Sequence, residues 1–200
     1  MVLRRFRFFS AALFLAFLAA CGGKMVKEGK GQTTLVFGHI DMEEAPSGLD
    51  WVRLRQMKPK TEEPFWNMRL DEGLFYCENM PVGSYVLDQF GGGGGLKLGS
   101  VRFFSNTTYY YDVPVQSGKD FQFRVEKPGL YFTGAFAYKR LASTAERFFG
   151  METKYDIVKA PGPSEAELLE RLLEFTEGTS WQGDVKKRLQ ALGWKPRKKD

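Results

Sequence analysis

The stretch that most constrains the fold runs over residues 73–87, GLFYCENMPVGSYVL. Phe75 and Cys77 lie two residues apart, and so do Tyr85 and Leu87. Side chains alternate faces along a strand, so each pair marks one face of one strand. Pro81, Val82 and Gly83 between them read as a turn. The turn brings the two apolar faces together. A chain with this unit at its centre is expected to build its core from short strands.

The flanking segments repeat the theme. A first strand is predicted over 33–42, carrying Thr34, Val36, Phe37 and Ile40, followed by a turn with Pro46 and Gly48. Over 49–57, Trp51, Arg53 and Arg55 alternate with Val52, Leu54 and Gln56, the pattern of a half-buried strand. A charged loop over 58–64 leads to another strand over 65–70. Five consecutive glycines at 91–95 lack the Lys-Ser/Thr of a phosphate-binding loop and read as a mobile connection between strands. A strand then resumes over 96–104, with a polar turn at 105–108 and a further strand from Tyr109. Phe121, Phe123 and Val125 alternate with Gln122, Arg124 and Glu126 and turn at Lys127-Pro128-Gly129, which predicts a second hairpin. Beyond it, Leu130, Phe132, Phe136 and Tyr138 are expected on one face, with the small Thr133, Ala135 and Ala137 on the other. A last strand is expected over 152–159.

Pro161-Gly162-Pro163 ends the sheet region. Ser164 with Glu167 spells a capping box, and Leu168, Leu169, Leu172, Leu173 and Phe175 recur at helical spacing, which predicts a helix over 164–176. Thr179 with Gln182 reads as a second capping box. Trp181, Val185, Leu189 and Leu192 mark one face of a helix over 179–192, closed by Gly193 and Trp194. Neither helix is long enough to be stable alone, so their stripes must be buried on the sandwich or on another protein. Packing on the sandwich is expected, because Leu172, Trp181 and Leu189 would otherwise leave a large apolar patch in water.

The amino-terminal end carries a different kind of information. Arg4, Arg5 and Arg7 precede a short apolar run over 10–18, and Leu18-Ala19-Ala20-Cys21 follows. The run is shorter than the roughly 20 residues that span a bilayer and has the layout of a secretory signal. The motif resembles the bacterial lipoprotein lipobox. That resemblance implies cleavage between Ala20 and Cys21, diacylglycerol on the Cys21 sulfur and acylation of the new amino terminus. Gly22 rather than Asp follows the cysteine, which by the same resemblance favours the outer membrane in a Gram-negative cell. The expected organisation is a signal over 1–20, a lipidated tether over 21–32, a β-sandwich over 33–160 and a helical hairpin with a basic tail over 161–200.

The series Asp71, Gly73, Phe75, Pro81, Gly83, Tyr85 and Leu87, after an exposed turn and a strand with arginines, resembles transthyretin-like β-sandwiches such as carboxypeptidase regulatory-like domains. It implies a mainly β chain, an antiparallel sandwich with a C-terminal pair of α-helices. Phe123, Val125, Pro128, Gly129, Tyr131 and Gly134 resemble a stretch of small exported lipoproteins.

Removing the three signal arginines takes the formal charge from +5 to +2, which supplies no basic face for nucleic acid. The chain has two cysteines, and lipidation of Cys21 leaves Cys77 as a core thiol without a disulfide partner. His39 is the only histidine. One thiol and one imidazole supply neither a nucleophile with its orienting partners nor a zinc site. Glu43 with Glu44, and Asp71 with Glu72, are adjacent acids beside turns, and neighbours on a strand point to opposite faces, which does not suit paired-carboxylate catalysis. Trp51, Phe65, Trp66 and the Tyr109–Tyr110–Tyr111 run are candidates for a carbohydrate or peptide groove, with Trp51, Trp66 and Tyr110 as the binding residues. Tyr110 must face away from its neighbours. The expectation is a membrane-anchored envelope protein with a non-enzymatic binding or scaffolding role, no metal and no cofactor. Its partners are the bilayer through Cys21 and an envelope protein or glycan. An envelope glycan- or peptide-processing hydrolase and a surface adhesin are the alternatives.

Overall fold

The computed structural model describes residues 34–98, 101–113, 120–141 and 155–194, with backbone alone at 95–98 and 101–106. The signal, Cys21, the tether and the tail from Lys195 lie outside the described residues. Among the described residues, ten strands precede two helices: β1 (Thr34–Asp41), β2 (Trp51–Lys58), β3 (Phe65–Asn67), β4 (Arg69–Asp71), β5 (Leu74–Glu78), β6 (Gly83–Leu98), β7 (Val101–Asp112), β8 (Gln122–Val125), β9 (Gly129–Arg140), β10 (Tyr155–Lys159), α1 (Glu165–Phe175) and α2 (Trp181–Ala191). They form two sheets. The first has the order β10-β9-β1-β5-β4, and the second β3-β2-β6-β7 with β8 also on β6. All pairs are antiparallel except β1 with β9, which run parallel.

The interior between the sheets joins Val36, Ile40, Phe75, Phe136 and Tyr138 of the first sheet to Val52, Leu54, Tyr85, Leu87, Phe90 and Tyr111 of the second. The faces of Phe75 and Tyr85 therefore do meet, but across the sandwich. The turn between β5 and β6 carries the chain from one sheet to the other. The second expected hairpin does the same: β8 pairs with β6, and β9 with β1 and β10. Each crossing is closed by a tyrosine four residues on. Tyr85 donates to the Pro81 carbonyl at 2.6 Å, and Tyr131 donates to the Lys127 carbonyl at 2.7 Å. The single strand expected over 65–70 is also split. β3 lies in the second sheet and β4 in the first, with Met68 buried at the step and its N–H held by the Val52 carbonyl at 2.9 Å.

The face expected for β9 breaks in two. Leu130 and Phe132 pack toward the helices, whereas Phe136 and Tyr138 enter the interior. The register explains this. Phe37 pairs with Phe132 and His39 with Ala135, so Thr133 and Gly134 oppose the single residue Gly38. One extra residue in a strand flips everything beyond it. Gly134 takes φ +120 at the bulge. Gly38 has no room for a side chain, because a Cβ there would meet Thr133 Oγ1 and the Phe75 ring.

The glycine run is not a loose connection. It lies inside β6, paired with β7 on one side. On the other side, Asp50 donates its N–H to the Gly91 carbonyl at 2.8 Å and its carboxylate accepts the Gly93 N–H at 2.6 Å. The expected polar turn at 105–108 falls within β7, where Gly93 pairs with Thr108 and Gly95 with Phe104, a local irregularity in the ladder.

The outer side of the first sheet is covered. Leu35, Phe37, Leu74 and Tyr76 pack against Leu168, Leu169, Leu172, Trp181, Val185 and Leu189, all buried. The Ser164–Glu167 capping box forms in both directions at α1. At α2 the expected box does not form. Ser180 is the cap residue without a side-chain bond, and the Thr179 hydroxyl donates backward to the Thr176 carbonyl instead. Gly193 (φ +77) and Trp194 close α2 with the paired bonds Gly193 to Gln190 and Trp194 to Leu189. Leu192, expected on the buried stripe, is exposed. No described helix is long and apolar enough to cross a membrane.

Candidate functional site

With helices over the first sheet, the outer face of the second is the open one among the described residues. Alternation along β2 points Val52, Leu54 and Gln56 inward and turns Trp51, Arg53 and Arg55 outward. On β7 the same rule buries Tyr111 and leaves Tyr110 65% exposed. Gly91 of β6 pairs with Trp51 on one side and Tyr110 on the other, so the two rings share one rung of the sheet. They meet across the glycine, with centroids 5.5 Å apart and planes tilted by 47°.

One rung along, Arg53, Gln89 and Asp112 are in line. Gln89 donates to Asp112 at 2.6 Å. Arg53 donates twice to Asp88, at 2.8 and 3.1 Å, and its guanidinium lies 4.5 Å from the centre of the half-exposed Phe65 ring. Asp88 also pairs with Arg55. Trp66 does not join this group. It packs on the sandwich interior and points its indole N–H at the buried Gln56 side chain, 3.4 Å away. Of the three candidate binding residues, the fold therefore brings Trp51 and Tyr110 together and turns Trp66 away. Gln89 and Asp112 are additions that no local pattern marked, because only strand register aligns them with Arg53.

A cleft of about 810 Å³ opens where β1 leaves the first sheet, lined among others by His39, Asp41, Glu43, Ser47 and Glu72. Burial, then the nearby Arg171 cation, pulls the His39 pKa below its usual range, which favours the neutral imidazole. His39 and Cys77 are not a pair. On β1, Val36 stands opposite Cys77 and His39 opposite Leu74, and the odd-numbered residues Leu35 and Phe37 face the helices while Cys77 faces the interior. Burial and the neighbouring Glu78 push the Cys77 thiol up to about 12, so it stays protonated. The two acid pairs also separate. Glu44 is held by Lys139 and Arg140, and Asp71 by Arg171, while Glu43 and Glu72 line the cleft. Among the described residues, no three of His, Cys, Asp or Glu converge in a way that would hold a metal ion.

No protein-family model matches the chain, and neither a curated protein nor a solved structure is similar to it.

Proposed function

We propose that this chain is a lipid-anchored protein of a bacterial cell envelope whose folded body binds, without catalysis, through the open face of the second sheet. The observation that carries the binding role is the Trp51–Tyr110 pair. Among the described residues it stands outward on the sheet face that the helices leave uncovered, with Tyr110 65% exposed. Apolar ring surface held outward in this way marks interaction sites. The anchoring role rests on Leu18-Ala19-Ala20-Cys21 after the arginine-rich start, and on the polar, glycine-containing tether that follows it. Several acyl chains on one cysteine give stable attachment, where a single chain binds only marginally. The strand–turn–strand unit over 73–87 supports a transthyretin-like reading of the sandwich. Gly22 after the cysteine favours the outer membrane if the cell has one.

The test is Cys21→Ser in a bacterial host fed a labelled fatty acid. The expected outcome is an unlabelled precursor that no longer partitions into detergent. A variant that still takes up label at the mass of the mature form rejects the anchor. For the binding role, Trp51→Ala and Tyr110→Ala are expected to reduce retention of the folded body on solubilised envelope material. Unchanged retention in both rejects the open face as the site.

A further inference from the structure

We propose that the open face of the second sheet binds a neutral glycan chain, lying along β6 with a sugar ring against Trp51 and Tyr110. The inference deepens the reading of that face as a binding surface and rests on it. Three features of the face select the ligand.

The first is the floor. A Cβ at Gly91 would stand 2.8 Å from the Trp51 ring, so the indole lies over the bare strand instead of standing off it. At Gly93 a Cβ would meet only Asp50 Oδ2, at 3.4 Å, so the strand stays uncluttered beyond the aromatic pair. The result is a shallow strip floored by backbone and bordered by Trp51 on β2 and by Tyr110 and the exposed Thr108 on β7.

The second is the alternation of chemistry along the strip. The aromatic rung Trp51–Gly91–Tyr110 is followed, about 7 Å along the strand, by the polar rung Arg53–Gln89–Asp112. A pyranose ring has an apolar face of C–H bonds and a rim of hydroxyls. The electron-rich faces of aromatic rings attract C–H groups, and hydroxyls both donate and accept hydrogen bonds. Arg53 is held by Asp88 and Phe65, and Gln89 by Asp112, so these polar groups are fixed before a ligand arrives. Binding then costs little side-chain ordering.

The third is charge. Among the described side chains of this face, Arg53 and Arg55 are matched by Asp88 and Asp112, and the exposed Arg124 of β8 has Glu126 4.0 Å away. The balance gives no pull on a polyanion such as nucleic acid, and the acids oppose an anionic lipid surface. The core of a protein interface is depleted of charged residues, whereas here a charged rung lies directly beside the aromatic one. An uncharged, hydroxyl-rich polymer fits all three.

The experiment uses the full mature chain in detergent, with short cello- and chito-oligosaccharides and protein-free cell-wall polysaccharide as probes, read by indole fluorescence and equilibrium dialysis. Saturable binding to at least one probe is expected. Trp51→Ala and, separately, Tyr110→Ala should weaken it about tenfold or more, while Val82→Ala, on an exposed residue at the β5–β6 turn, leaves it unchanged. Melting temperatures report folding, and the exposed Tyr110 can be truncated without opening the core. No saturable binding to any probe overturns the glycan proposal. If the wild type then captures an envelope protein that Trp51→Ala loses, the face is a protein-docking surface and the binding reading stands. If it captures none, the binding reading falls too.

Discussion

The Trp51 indole occupies the space that a Cβ on Gly91 would need, at 2.8 Å from its ideal position, and that one contact joins the aromatic pair to the glycine run. Gly91→Ala is therefore expected to lift Trp51 off β6 and also to strain the backbone, since the same Cβ would meet the Tyr109 carbonyl. The cost of such overpacking is about 1–3 kcal/mol. A urea melt gives the stability loss, and a shifted Trp51 emission in a background lacking the other tryptophans gives the displacement. An unchanged melt and spectrum would refute the contact.

Cys77 is expected to resist thiol reagents in the native state and to react only after unfolding, because its pKa is about 12 and its sulfur packs on the interior. Phe75→Ala, on a fully buried ring, should cost about 3–5 kcal/mol, and Cys77→Ala distinctly less. Labelling of Cys77 at the rate of a free peptide thiol would show the placement to be wrong.

His39 sets a direction for stability against pH. Its folded pKa lies below the ordinary 6.5, from burial first and Arg171 second. Above 6.5 the imidazole is neutral folded and unfolded, and its contribution is fully present. As pH falls below 6.5, the unfolded chain takes up a proton that the folded one resists, so stability drops down to the folded pKa. His39→Asn should flatten the loss between pH 7.5 and 5.5 in urea titrations. Parallel slopes for the two proteins would remove His39 from the account.

Deleting residues 161–200 uncovers Leu35, Phe37, Leu74 and Tyr76, each of which is buried in the folded chain. The remaining sandwich should melt well below the full chain, and the intact protein should unfold in one transition. A truncated chain that melts like the parent would mean that the helices are accessory. Trp181→Ala tests the same face without truncation and should cost about 3–5 kcal/mol.

Gly38→Ala probes the bulge. Its Cβ would meet Thr133 Oγ1 and would lie 2.5 Å from the Phe75 ring and 2.9 Å from the Gly134 carbonyl. The Thr133 hydroxyl can be removed but the carbonyl cannot, so Thr133→Ala should not rescue the loss of stability. Full rescue would locate the clash in the side chain alone.

What the sequence determined by itself was local. Alternation set Val52, Leu54 and Gln56 on one face of β2 against Trp51, Arg53 and Arg55, and Tyr110 opposite its neighbours, because a strand has a period of two wherever it lies. The fold turned the first set inward and Tyr110 outward. The Ser164–Glu167 box and the Gly193–Trp194 ending were legible because caps join residues a few positions apart. The helical stripes implied a cover for one sheet face, since short helices need a surface to pack on. What lay beyond this reach depended on partners distant in sequence. Whether a turn makes a hairpin or a crossing is set by which sheet the next strand joins, as at Pro81 and Lys127. One extra residue at Thr133–Gly134 reversed the faces of β9, and nothing local announces a bulge. The glycine run became a strand because β7 and the segment at Asp50 hydrogen-bond its backbone from both sides. Trp51, Gln89 and Asp112 belong to one face because the register of β2, β6 and β7 aligns their rungs. Register is a property of packed sheets, and only the folded chain decides it.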